Sequence, residues 1–193
     1  LVKWMKNDNP QDFFFFFLGT EDVAITIEEG TGSKVVALDL SQQMLNVGVI
    51  KIKKLKLDGK ISMQKGDAEN LPFEDNRFDA VSVAFGVRNF ENLTKGLAEL
   101  RRVVKDNKSV YILEFSKVEG FMGPFYMFYF KNILPAIGRL VSKDNRAYTY
   151  LPDSVNAFPF GEKMKQILLD TGFKKVEYKK LSLGIATIYK ATK

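Results

Sequence analysis

Short apolar runs, continuous or alternating, take turns along this chain with longer stretches in which apolar residues recur every three or four positions. The short runs predict strands at residues 13–18, 34–38, 61–65, 78–84 and 109–115, and the helical spacing predicts helices at 22–29, 41–57 and 93–104. Such alternation predicts an α/β domain: a mainly parallel sheet, right-handed crossovers and helices on both faces. The regularity breaks at 116–159, a stretch rich in Phe, Tyr, Gly and Pro that is too long for a plain connector and is expected to be a functional insertion or lid. It resumes with an amphipathic helix at 160–171 closed by Gly172. Two strands follow, 176–181 and 186–190, close enough around Gly184 to pair as an antiparallel hairpin. A chain of 193 residues, 46% hydrophobic and without a break in composition, predicts one domain over 1–193. The opening residues, Leu1 to Asn7, read as the end of a helix, so an N-terminal segment is expected to precede them.

Two strand ends carry acids. Residues 78–85 (FDAVSVAF) are nearly continuous apolar, as in a strand buried on both faces, and the run 60–65 (KISMQK) is stopped by Gly66 and Asp67. In an open α/β sheet, ligands lie outside the carboxyl ends of the strands, so Asp67, Ala68 and the turn from Ala84 to Asn89 are expected to share one crevice. A second acid, Asp39, ends the strand at 34–38 and lies twenty residues past Gly19. A turn after the first strand, where backbone N–H groups meet a ligand, and an acid after the second, which accepts ribose hydroxyls, have the spacing of a nucleotide site. Each acid also has a purely structural role open to it. Asp67 can close a turn after Gly66, and Asp39, two residues before the candidate N-cap Ser41, can form an Asx turn. The turn itself is a weak fingerprint, with one glycine, Gly19, and Glu21 where a small residue would help a ligand approach.

Composition narrows the chemistry. The chain has no cysteine and no histidine. The first absence excludes disulfides, thiolate nucleophiles and Cys-ligated metals; the second removes the usual general base and the commonest metal ligand. No metal site is expected, and proton transfer must fall to carboxylates, Tyr, Lys, Arg or a cofactor. The net charge of +6 comes from lysines scattered over helices and strands, such as Lys51, Lys53, Lys54 and Lys56, which read as solvated faces. That charge is compatible with a weak attraction to an anionic membrane surface. Nothing has the form of a zinc finger, an RNA-binding signature or a basic arm, so no nucleic-acid partner is expected. No signal peptide is visible, and the aromatic run 121–130 is far shorter than the ~20 residues of a membrane helix, which predicts a soluble, cytoplasmic protein.

Taken together, DLSQQML with Asp39, GDAENLPFEDNRFD with Asp67 and Ala68, AFGVRNF with Arg88 and Asn89, RRVVK followed by ILEFSK, and YTYLPDSVNAFP resemble the ubiquinone and menaquinone biosynthesis C-methyltransferases. The likeness runs from Asn9 to Lys193. FGVRN, LEFSK and YLPDSV are particular to that group, whereas Asp39 and Asp67 with Ala68 are shared by many S-adenosylmethionine enzymes. The resemblance implies a class I S-adenosylmethionine-dependent methyltransferase fold, Rossmann-like, with a mainly parallel seven-stranded sheet whose last hairpin strand is antiparallel. It implies C-methylation of a prenylated quinol, demethylmenaquinol to menaquinol, with S-adenosyl-L-methionine as cofactor.

The same resemblance assigns roles. Gly19 and Thr20 match the turn at the methionine end of the cofactor, Asp39 the ribose-binding acid, and Asp67 with Ala68 the adenine-contacting pair. Arg88 and Asn89 match the turn facing the transferred methyl group, while Tyr148 and Tyr150 fall in the 116–159 insertion, expected to line the quinol site. Arg88 is the candidate for stabilising a phenolate, with Tyr148 or a nearby carboxylate assisting proton removal. A salt bridge from Arg88 to Glu91 or Asp67 is the alternative. The run 121–130 would hold the isoprenoid tail or touch the membrane, unless it is an ordinary buried helix. A lipid-soluble quinol partner and peripheral contact at the inner membrane face follow from the resemblance; a homodimer is left open.

The first motif departs from the family pattern. Where the family has an acid within the first strand and then a small-residue turn ending Gly-Thr-Gly-Asp, this chain has Phe15, then Phe17 and Leu18, and Glu21 for the second glycine. Only Gly19, Thr20 and Asp22 remain. A carboxylate at Glu21 and a ring at Phe17 crowd the place of the methionine moiety, and the missing acid leaves its ammonium group unpaired. Weak or absent cofactor binding is therefore expected. Lys105-Asp106-Asn107-Lys108 replaces the family's Lys-Pro-Gly-Gly turn, a harmless exchange. Three other functions stay open: a methyltransferase for another small molecule, a nicotinamide-dependent oxidoreductase, against which the missing glycines argue, and a non-catalytic quinone binder or scaffold, which the altered motif favours.

Overall fold

The computed structural model describes residues 1–6, 8–17, 22–118, 123 and 154–193. Five strands run parallel: β1 (Asp12–Phe17), β2 (Lys34–Asp39), β3 (Ile61–Lys65), β4 (Phe78–Ala84) and β5 (Val104–Phe115). The C-terminal strands β6 (Lys175–Leu181) and β7 (Ala186–Thr192) form the expected antiparallel hairpin, and β7 also lies antiparallel to β5. One seven-stranded sheet results, in the order β3-β2-β1-β4-β5-β7-β6. Helices α1 (Val2–Lys6), α2 (Asp22–Thr31) and α3 (Gln42–Lys54) contribute to the core on one face, and α4 (Leu93–Val103) and α5 (Glu162–Asp170) to the core on the other.

The phenylalanine tract is β1, between β2 and β4 in the middle of this sheet. Successive side chains of a strand point to opposite faces, so one uninterrupted apolar run can serve two cores when both faces are covered. Phe14 and Phe16 pack with Phe78, Leu97, Leu100 and Met164, whereas Phe13 and Phe15 pack with Met5, Ile27, Leu45 and Tyr111. Phe14 stacks on Phe78 with ring centroids 5.2 Å apart and meets Phe73 edge-on at 5.1 Å. Each buried ring contributes about 1.5–3 kcal/mol of apolar burial, with about 0.5–1.5 kcal/mol more from a ring pair.

Element ends follow local chemistry. The Ser41 hydroxyl caps α3 by accepting the Met44 N–H at 3.4 Å. That helix stops at Lys54 rather than reaching 57, because Lys56 takes a left-handed conformation at φ 58°. Asn92 caps α4 through the Lys95 N–H, and Gly96 lets that helix lie on the turn after β4, since a Cβ there would come 2.3 Å from the Phe90 ring. At Gly161, φ is 60°, so α5 starts at Glu162 rather than 160. Residues 105–108, expected as a plain turn before a strand at 109, instead sit within β5: the register jumps from Phe78↔Val104 to Ala80↔Ser109, with Asn107 at φ 60°. Among the described residues, no helix is long and apolar enough to cross a membrane.

Candidate active site

The carboxyl ends of β2 and β3 carry the two acids. Asp39 pairs in register with Lys65, and the Gly66 N–H donates to the Asp39 carbonyl at 3.1 Å. The chain passes so close over Leu38 that a Cβ on Gly66 would meet its Cδ1 at 2.6 Å, so glycine there is what brings Asp67 round to the end of β2. Asp39 is buried, and its Oδ1 accepts the Ser41 N–H at 2.6 Å; the Asx turn therefore exists and fixes the carboxylate at the strand end. Asp67 is exposed and forms a similar turn, its Oδ1 accepting the Glu69 N–H at 2.9 Å, while Ala68 is buried in the core. In both acids the turn-closing role coexists with a place at the carboxyl edge of the sheet.

A clamp holds the loop that follows. The Leu71 N–H donates to Glu99 Oε2 at 2.8 Å, and Arg102 donates to the carbonyls of Leu71 at 3.0 Å and Phe73 at 2.7 Å, to Asp75 at 2.8 Å and to Glu99 at 2.7 Å. The Arg102 hydrogen bond holds the Glu99 carboxyl below its usual range against the opposing effect of burial. The Asn92 N–H reaches Glu69 Oε1 at 2.7 Å. Sequence reasoning missed this clamp; its one signal was the i, i+3 spacing of Glu99 and Arg102 on an amphipathic helix.

At the carboxyl ends of β4 and β5 a sharp turn presents Arg88. Phe85 closes β4 by donating its N–H to the Leu113 carbonyl at 2.7 Å, then takes φ 54°, an unfavourable conformation for an aromatic residue. A single 3₁₀ turn, Val87–Asn89, follows and directs Arg88 back over β5. Its partner is neither Glu91 nor Asp67 but Glu114: Nη1 donates to Oε1 at 2.5 Å, with the two side chains 11% and 1% exposed. Register explains the choice. Ala84 pairs with Leu113, so the next residue of β5 lies beside the turn. Nη1 also donates to the Phe85 carbonyl at 2.8 Å, and the guanidinium carbon lies 5.4 Å from the Phe115 ring centroid. Burial pushes the Glu114 carboxyl above its usual range, against the opposing pull of Arg88. Arg88 Nε is buried and has no hydrogen-bond partner among the described residues.

Asp39, Asp67 and Arg88 thus stand at the carboxyl ends of β2, β3 and β4, one edge of one sheet. Gly19, Thr20, Tyr148, Tyr150 and nearly all of the 121–130 run lie outside the described residues. The ubiE/COQ5 methyltransferase family matches the chain over residues 1–193. The chain belongs to that family. As a ubiE/COQ5 protein it is an S-adenosylmethionine-dependent methyltransferase, and its relatives are similar along most of their length. It is 44% identical over 194 residues to the demethylmenaquinone methyltransferase of Bacteroides fragilis, covering 100% of this chain and 79% of that protein. It is 42% identical over 178 residues to the ubiquinone/menaquinone biosynthesis C-methyltransferase UbiE of Citrifermentans bemidjiense, covering 91% and 75%. The fold is that of a SAM-dependent methyltransferase from Aquifex aeolicus, with a TM-score of 0.69 at 21% identity, over 98% of this chain and 87% of that one.

The residues fit this family's cofactor at its nucleoside end, where acids end two adjacent strands and Gly66, packed over Leu38, brings the second acid round to the first. They fit it less well at the other end. Phe15 stands in the strand at the position where the family pattern has an acid, is fully buried among apolar side chains, and has no charge to set against an ammonium group.

Proposed function

We propose that this chain transfers a methyl group to a ring carbon of a prenylated quinol of the demethylmenaquinol kind. Arg88 carries this reading: a guanidinium anchored through Nη1 at the strand edge, with a buried Nε that has no partner among the described residues, suits an oxyanion. The names of the relatives supply the substrate class. When bound, S-adenosylmethionine supplies a methyl group already activated as a sulfonium. Asp39 accepts the ribose hydroxyls, Asp67 and Ala68 receive the adenine, and Gly19 and Thr20 serve the methionine end. Arg88 stabilises the phenolate form of a quinol hydroxyl, which raises electron density at the neighbouring ring carbon, with Tyr148 assisting removal of the proton. The tail of such a substrate brings the chain into peripheral contact with a membrane.

Incubation with a short-chain demethylmenaquinol and methyl-labelled cofactor tests this. Label in the quinol ring is the expected result, lost in Arg88→Ala; label passing only to soluble, tail-less acceptors would overturn it. The buried Phe15 favours a second reading, a quinone binder without turnover. Quinol binding without label transfer would establish that one instead.

A further inference from the structure

We propose that Glu114 is the positioning residue of this site: it fixes Arg88 by backbone and side chain together and sets the charge that a quinol hydroxyl meets on ionising. The inference rests on the role of Arg88 proposed above. Its observation is different, because Glu114 uses both carboxylate oxygens on the same turn. Oε1 accepts from Arg88 Nη1 at 2.5 Å and from the Phe115 N–H at 2.8 Å, while Oε2 accepts from the Arg88 N–H at 3.4 Å. The carboxylate is thereby held by β5 and in turn holds both ends of Arg88. Phe85 adds its carbonyl to Nη1, and its ring packs on Phe115 with centroids 4.5 Å apart, so the guanidinium is gripped along one side. Among the described residues the buried Nε makes no hydrogen bond, so the guanidinium keeps a donor that these contacts do not use.

The charges give Glu114 a second consequence. Arg88 and Glu114 together are neutral, and a neutral quinol enters without changing that. When the hydroxyl ionises, its proton leaves and a second anion shares the one guanidinium. Glu114 therefore opposes ionisation even as it keeps Arg88 aimed. A neutral amide in its place would leave Arg88 with its full positive charge, and the hydroxyl would ionise at lower pH. At separations of several ångström and an effective dielectric of about 20, that effect is about one to two pH units. Loss of alignment acts on rate: misplacing a reacting group by about 1 Å costs about 10²-fold.

The test compares kcat, KM and the pH profile of kcat for the wild-type chain, Glu114→Gln, Glu114→Asp and Arg88→Ala, with short-chain demethylmenaquinol and saturating S-adenosylmethionine, alongside cofactor affinity by calorimetry. Glu114→Gln is expected to lower kcat about 10²-fold at the wild-type optimum, leave cofactor affinity within about twofold, and move the rising limb of the profile to lower pH by about one unit. Glu114→Asp keeps the charge with a shorter reach, so it should lose kcat without moving the limb. If Glu114→Gln fails to fold, Glu114→Asp decides, and wild-type kcat in it overturns the proposal. A limb left in place by a folded Glu114→Gln shows an ordinary buried ion pair and also overturns it. Wild-type activity in Arg88→Ala would sink the role of Arg88 itself, a result separate from any obtained with Glu114.

Discussion

Glu114 and Arg88 meet across the carboxyl ends of β4 and β5, Oε1 2.5 Å from Nη1, with 1% and 11% of their side chains exposed. A buried ion pair is weak evidence of net stabilisation, yet breaking it is expensive, because the surviving charge loses its partner in a poor solvent. Arg88→Met and Glu114→Leu should each destabilise by about 3–5 kcal/mol, and the double variant by clearly less than the sum of the two. Urea unfolding of the three variants would measure this, and additive losses would contradict the coupling. Glu114 also has a pH signature. Its folded pKa lies above the ordinary value, so its favourable contribution is full below the unfolded pKa and is lost as pH rises through the folded one.

Asp79 has the opposite signature. Burial pushes its carboxyl up, but hydrogen bonds from Lys105 and from the Asp12 and Gln11 N–H groups outweigh that and bring it from 3.8 down to about 2. A depressed carboxylate contributes stability present above the unfolded value and lost as pH falls through the folded one, here between about 4 and about 2. With its side chain 15% exposed, the shift corresponds to about 2 kcal/mol. Asp79→Asn should lose about that much at pH 7 and unfold with a flatter dependence below pH 4; an unchanged acid limb would show the contacts to be energetically idle.

Arg102 joins α4 to the segment that follows Asp67. Its ion pairs are partly solvated and worth about 1 kcal/mol or less each, but Arg102→Ala also strips donors from the carbonyls of Leu71 and Phe73. We expect about 1–3 kcal/mol of lost stability, with faster amide hydrogen exchange concentrated at residues 67–75. Uniform exchange across the chain would mean the clamp does not hold that loop.

Cofactor affinity tests the altered first motif. With Phe15 and Glu21 at these positions of the sequence, calorimetric titration with S-adenosylmethionine should give a dissociation constant well above 1 µM, the value that corresponds to about 8 kcal/mol of binding. Micromolar binding would show that the methionine end tolerates the crowding and the missing acid.

Much of the fold was legible because strand and helix patterns are short-range. The runs at 61–65 and 78–84 are β3 and β4 to the residue, and Ser41 announces α3. Boundaries slipped where one residue's backbone conformation decided them, at Lys56, Asn107 and Gly161. Of the site, the acids after β2 and β3 were readable because each ends its own strand. The partner of Arg88 was not, since Glu91 is near it in sequence while Glu114 is near only through the β4–β5 register.

Sequence alone determined that this chain forms an α/β sheet and that its polar groups collect at strand ends, because period and turn chemistry act over a few residues. Only the tertiary structure decided which charge faces which. Ion pairing depends on the distance between groups in space, and a buried carboxylate 26 residues along the chain became the neighbour of Arg88 when two parallel strands fell into register.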